Sequence, residues 1–207
     1  MDAANAHNRV VAKNGGTYTI TDTATNLSNA NFDKAGGSED AESVTVEIQG
    51  NAENLTAIDL DASVTNINLN GKTGVILDMG NIGTRSITAG GGSYLVRDAA
   101  TNLTSIDLTA APNNNPNATS VTAVVAGNSE DLTGVDLDSD VGAIDLNGKA
   151  GVLMDAGNAH NRVITKNGGT YTITDTATNL SDGNFDKAGG SDDAESVTVE
   201  IQGNAEN

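Results

Sequence analysis

The first fifty residues of this chain come back near its end. Residues 2–54 return at 155–207 with 47 identities in 53 positions and no gap. A weaker copy lies between them. DMGNIGTRSITAGGGSYLVRDAATNL starts at Asp78, and NSEDLTGVDLDSDVGAIDLNGKAGVLM, from Asn128, matches NAENLTAIDLDASVTNINLNGKTGVIL from Asn51. The unit is about 76 residues long. It is present as repeat unit 1 (1–77), a divergent unit 2 (78–154) and a partial unit 3 (155–207). Self-similarity at a fixed period marks arrays in which each element buries its surface against the next. Met1 aligns with Met154, and the chain stops in mid-unit after GNAEN, so a slice of a longer array is expected.

Within each unit, short β-type runs recur roughly every 8–11 residues. They include RVVAKNG, TYTITDT, SVTVEIQ, LTAIDLD, TNINLNG and GVILDMG in unit 1, with counterparts in unit 2. Val44, Val46 and Ile48 alternate with Thr45, Glu47 and Gln49, and Ile58 and Leu60 with Asp59 and Asp61. A period of two with one apolar face predicts half-buried strands. Gly, Asn and Asp punctuate the joins, where positive φ or a side-chain cap is needed. No stretch has a helical period. Pro112 and Pro116 both fall in the loop APNNNPN, read as an exposed excursion.

Composition narrows the all-β choices. Aromatics are 2% of the 207 residues, and cysteine is absent. The core must therefore be built from Val, Ile, Leu and Ala, without disulfides or Cys-based zinc. A thin core suits a β-solenoid, in which each run stacks on the one a turn earlier, about 4.8 Å along the axis. Two runs per turn predict turns of about nineteen residues and three roughly twenty-eight. Both remain open at this point. The alternative is a string of immunoglobulin-like sandwiches, which expects a larger centre with an aromatic plug.

The net charge is −18. That disfavours nucleic acid and anionic lipid as partners and attracts cations. No apolar run approaches a membrane span, and no signal peptide is read.

The phrase TYTITDTATNL at 17–27 and 170–180, with SYLVRDAATNL at 93–103, resembles repeats of very large secreted bacterial adhesins and matrix proteins. The TSIDL, TAIDL and TGVDL phrases resemble S-layer-type β-solenoids. The resemblance implies a secreted, cell-surface or extracellular-matrix protein, reaching glycans or other cells through other domains. The tandem GGxGxDxLx nonapeptide of calcium-binding β-rolls is absent, so the resemblance carries no calcium role.

The residues themselves raise calcium separately. Asp59 and Asp61 align with Asp136 and Asp138, the latter followed by Asp140. On one solvent face, carboxylates about 5 Å apart repel by roughly 1 kcal/mol per pair in water. Calcium, with its taste for flexible carboxylate ligands, would relieve this. The competing reading is a solvated acidic face, and Glu39, Asp40 and Glu42, repeated as Asp192, Asp193 and Glu195, read the same way.

Other patterns have plainer readings. Thr17, Thr19, Thr21, Thr23 and Thr25 do not return on a neighbouring run, so β-propensity on a solvent face accounts for them. Asn26, Asn54, Asn102, Asn117 and Asn179 head Asn-x-Ser/Thr sequons but read as turn residues. His7 and His160 read as polar turn residues, and Asp22, Asp98 and Asp175 as turn caps. No nucleophile, phosphate-loop or zinc-protease motif occurs. The expectation is a non-enzymatic spacer or fibre module whose ends self-associate. The alternative is a calcium-dependent adhesin module.

Overall fold

The protein is a β-solenoid. The computed structural model describes residues 1–7, 9–12, 14–32, 41–83, 85–106, 118–160, 162–181 and 194–200. The loop holding Pro112 and Pro116, the sequon at Asn117 and the acidic residues Glu39, Asp40, Asp192 and Asp193 lie outside them.

In chain order the elements are α1 (Ala3–Ala6), β1 (Thr19–Asp22), β2 (Ser43–Glu47), β3 (Asn66–Asn68), β4 (Val75–Leu77), α2 (Met79–Ile82), β5 (Ser86–Thr88), β6 (Tyr94–Ala99), a 3-10 turn (Ala100–Asn102) and β7 (Ala118–Val124). Then come β8 (Ala143–Asp145), β9 (Val152–Met154), α3 (Ala156–Ala159), β10 (Val163–Thr165), β11 (Tyr171–Thr176) and β12 (Ser196–Glu200). The chain forms two compact units, Met1–Val96 with Asp107–Thr119, and Arg97–Ile106 with Ser120–Asn207.

In unit one the described strand pairs are all parallel. β1, β2, β3 and β5 make one sheet, and β4 pairs with β6 in another. Thr19 lies opposite Ser43, Thr45 opposite Asn66, Asn66 opposite Ser86 and Val75 opposite Tyr94. A turn therefore takes 19 to 24 residues. Between β3 and β5, one turn apart, the chain makes β4 and then α2. That settles the open choice at two strands per turn, with a helical corner in the third position.

The second unit repeats the plan. β8 pairs with β7 and β10, and β11 with β9 and β12. The repeat does not contain a whole number of turns. β1 and its repeat counterpart β6 lie in different sheets of unit one. Each repeat is three turns plus the step from one sheet to the other.

Alternation fixes which side faces in. Ile20, Val46, Ile67, Val75, Leu77, Tyr94 and Val96 are fully buried, while their neighbours face out. Parallel stacking sets like against like: Ile20 on Val44, Val46 on Ile67, Leu77 on Val96, and in the second unit Met154 on Ile173. Each fully buried aliphatic side chain contributes about 1.5–3 kcal/mol. Thr21 and Thr45 form an outward rung.

Corners obey the Asn-Gly chemistry of the sequence. Asn70, Asn147 and Asn167 have φ near 50°, each followed by a glycine of positive φ. Gly92 and Gly169 answer a different demand. A Cβ there would sit 2.2 Å from the Lys72 carbonyl oxygen and 2.3 Å from that of Lys149, in the turn before.

Three expectations change. Among the described residues there are three four-residue helices, too short to leave a period; Asp2, Asp78 and Asp155 cap them, accepting from the backbone of Asn5, Asn81 and Asn158. LTAIDLD and LTGVDLD are corners rather than strands, because their carbonyls are taken by side chains described below. Arg9–Ala12 is not a strand, although its counterparts β5 and β10 are. They pair with an earlier strand, β3 and β8, and Arg9–Ala12 has none ahead of it.

Candidate functional site

The chemistry that recurs lies between successive turns. Each unit has a helix capped by an aspartate, an asparagine inside the helix, and an arginine four residues further on. Arg85 is 8% exposed and Arg162 9%. Buried charge is costly unless every donor is used. Here the guanidinium works as a staple. Arg85 Nε donates to the Val64 carbonyl at 3.2 Å, Nη1 to Gly80 at 2.8 Å and Asn81 at 3.1 Å, and Nη2 to Leu60 and Asp61 at 3.1 Å each. Arg162 does the same in the second unit, to Val141, Gly157, Asn158, Leu137 and Asp138, at 2.6–3.1 Å. The planar fork of five donors suits this task, and a lysine could not fill it.

The asparagine adds a second fastening. Asn81 Nδ2 donates 2.8 Å to the Leu55 carbonyl, and Asn158 Nδ2 to Leu132 and Val135 at 2.8 and 2.6 Å. Both residues are buried. Together the two side chains satisfy carbonyls in the stretches 55–64 and 132–141 that no strand neighbour reaches. That is why those stretches are corners.

The predicted metal residues belong to this cluster. Burial lowers the Arg85 guanidinium below its ordinary value, against the pull of Asp59, Asp61 and Asp78. Burial does the same to Arg162, opposed by Asp155, Asp136 and Asp138. Asp59 and Asp61 act on Arg85, and Asp136 and Asp138 on Arg162, as nearby negative charge. Asp61 also accepts from the backbone and hydroxyl of Ser63, and Asp138 accepts from the Asp140 backbone, closing equivalent turns. Asp59 accepts from Asn29 Nδ2 at 2.8 Å. Among the described residues no group of three or more His, Asp or Glu side chains could hold a metal ion.

A surface cleft of about 420 Å³ opens beside the second staple, lined by Asp136, Asp155, Asp175, Asn158 and Asn179 among others. Burial, with Asp175 and Asp136 nearby, pushes the Asp155 carboxyl above its usual range, against the Asn158 N–H and Arg162. Burial raises Asp175 too, but hydrogen bonds from Asn179 and from the Thr176 and Ala156 backbone win and hold it low.

The recurring aspartates cap as the sequence predicts, and do one thing more. Asp22 accepts from Thr23 and Asn26, and its second oxygen takes the Ala3 N–H at the start of α1. Asp175 does the same for Thr176, Asn179 and Ala156, tying the turn to α3. At Asn26, Asn102 and Asn179 the sequon nitrogen donates to that aspartate. His7 packs against Phe32, ring centroids 6.4 Å apart.

The staple was missed in the sequence. Its signal was present: Asp-x-x-Asn-x-x-x-Arg recurs at 2–9, 78–85 and 155–162. Arg85 and Arg162 stand amid polar residues and read as surface.

Fold and site together define a β-solenoid repeat protein, its turns stapled by buried arginines. Comparison with known protein families, with curated proteins and with solved structures gives no match.

Proposed function

We propose that the chain is a structural spacer or fibre module of a large secreted cell-surface or extracellular-matrix protein. The observation that carries this reading is where the repeated polar groups go. The Asp, Asn and Arg of the motifs at 78–85 and 155–162 are used on neighbouring backbone, which supports a repeat built for stacking. A solenoid stabilised by nearest-neighbour contacts grows by adding turns, about 4.8 Å each. Its acidic outer face keeps such a structure soluble. The role is non-enzymatic, holding a distal domain away from its anchor.

The test places the chain, and versions lengthened by whole repeats, between a surface anchor and an adhesive head. A spacer extends reach with the number of turns and gives no glycan-array hits. Reach that ignores length, with a saturable glycan hit, contradicts it.

A calcium-dependent adhesin module is the second reading. It rests on the carboxylates of Asp59, Asp61, Asp136, Asp138 and Asp140, whose negative charge a flexible oxygen-coordinated cation would neutralise. A thermal midpoint unchanged by millimolar calcium removes it.

A further inference from the structure

The four described Asn-x-Ser/Thr sequons share a pattern and differ in what holds the asparagine. At Asn26, Asn102 and Asn179 the Nδ2 donates to Asp22, Asp98 and Asp175, at 2.8 Å each. Two of the sequon hydroxyls turn to backbone. Ser28 Oγ donates to the Thr25 carbonyl at 2.9 Å, and Ser181 Oγ to that of Thr178 at 2.8 Å. In these three sequons the amide nitrogen is committed to a carboxylate, in a charge-assisted bond of the stronger kind.

Asn54 is arranged the other way round. It is exposed at the head of the 55–64 corner, and Thr56 is exposed beside it. Its Oδ1 accepts the Thr56 N–H at 3.0 Å and the Thr56 hydroxyl at 2.9 Å, so the sequon hydroxyl meets the amide itself. Its Nδ2 donates to no described residue. The second copy shows what the fold asks of this position. Asp131 stands there and closes the same turn, accepting the Thr133 N–H at 3.0 Å and the Thr133 hydroxyl at 2.7 Å. An oxygen is enough for the turn, and the Asn54 nitrogen is surplus to it.

We infer that Asn54 is an N-glycosylation acceptor, its amide nitrogen open to a transferase without the loss of a carboxylate bond that the other three sequons would suffer. The donor is a glycan carried on a polyisoprenyl diphosphate. The Asn54 nitrogen bonds to its anomeric carbon, and the bond from that carbon to the diphosphate oxygen breaks. The diphosphate leaves with the electron pair, and an Nδ2 proton passes to a base of the transferase. Loss of that proton builds negative charge on Oδ1, where the two Thr56 donors already lie within 3.0 Å. The inference rests on the secreted-surface reading only for the chain to meet a transferase in its cell. A purified enzyme removes that dependence, so the two can fail separately.

The experiment incubates the folded full chain, and four synthetic peptides spanning the same sequons, with an oligosaccharyltransferase that modifies the Asn54 peptide and with its lipid-linked glycan. Mass spectrometry reads occupancy at each asparagine. The ratio of folded chain to peptide cancels any intrinsic preference among the four sequences. It should be near unity at Asn54 and lower by about tenfold or more at Asn26, Asn102 and Asn179. A folded chain left unmodified at Asn54, or one common ratio at all four sites, overturns the inference.

Discussion

Arg9 and Arg162 sit in nearly identical sequence, NAHNRVV and NAHNRVI, yet lead opposite lives. One is exposed and touches its own asparagine; the other is buried and holds five carbonyls. The local structure is the same, a capped four-residue helix followed by the arginine. What differs is the turn ahead. The lesson is that in this fold a residue's burial is decided by the neighbouring turn more than by its own.

That comparison can be broken by substitution. Arg162→Ala leaves five carbonyls without their charged donor, and is expected to cost about 3–5 kcal/mol. Arg85→Ala should match it, while Arg9→Ala should stay within about 0.5 kcal/mol. Urea midpoints of the three variants measure this. Equal effects would end the comparison.

The asparagines sharpen it at lower amplitude. Asn81→Ala removes one of two donors to the Leu55 carbonyl, which keeps the Ile58 N–H, and is expected to cost about 0.5–1.5 kcal/mol, with Asn5→Ala near zero. A second contrast concerns close approach within the second unit. Gly169→Ala drives a methyl into the Lys149 carbonyl, an expected loss of about 1–3 kcal/mol, whereas Gly134→Ala meets open space. Thermal melts of the pair check it.

Charge gives a smaller contrast. Asp145 lies at the position that is Asn68 in unit one. Burial raises its carboxyl, but Arg97 at 2.6 Å, the Asn147 N–H and Asn167 outweigh burial and hold it below its ordinary range. The folded value is below the unfolded one. Its contribution is therefore complete above the ordinary carboxylate range and is lost as pH falls through the lowered value. Asp145→Asn should flatten that acid limb and cost about 1 kcal/mol at neutral pH. Denaturant midpoints across pH 2–6 read it out.

The smallest effect is expected at Tyr94. Its ring is fully buried, its hydroxyl has no hydrogen-bond partner among the described residues, and burial pushes its ionisation up to about 12. Tyr94→Phe should leave stability unchanged or raise it by up to about 1 kcal/mol. A clear loss in a melt would show the hydroxyl to be bonded.

Much of the fold is legible because its signals are local. Period-two alternation at Val44–Ile48 places Val44 and Val46 inward, and Asn70-Gly71 marks a corner. Scarce aromatics point to a thin core. What stays hidden is what depends on the turn before. LTAIDLD alternates like a strand, but its backbone is claimed by Arg85, 21 to 25 positions on. A four-residue helix leaves no period to read. The sequence shows the charge of the aspartates at 59, 61, 136 and 138 but not the buried guanidinium whose charge they influence.

The most direct test of turn-to-turn stapling is the solvent exchange of arginine Nε–H groups in the unmodified chain, read by NMR. The Arg85 and Arg162 signals should exchange far more slowly than that of Arg9. If all three exchange at one fast rate, the staples are not closed and the account is wrong.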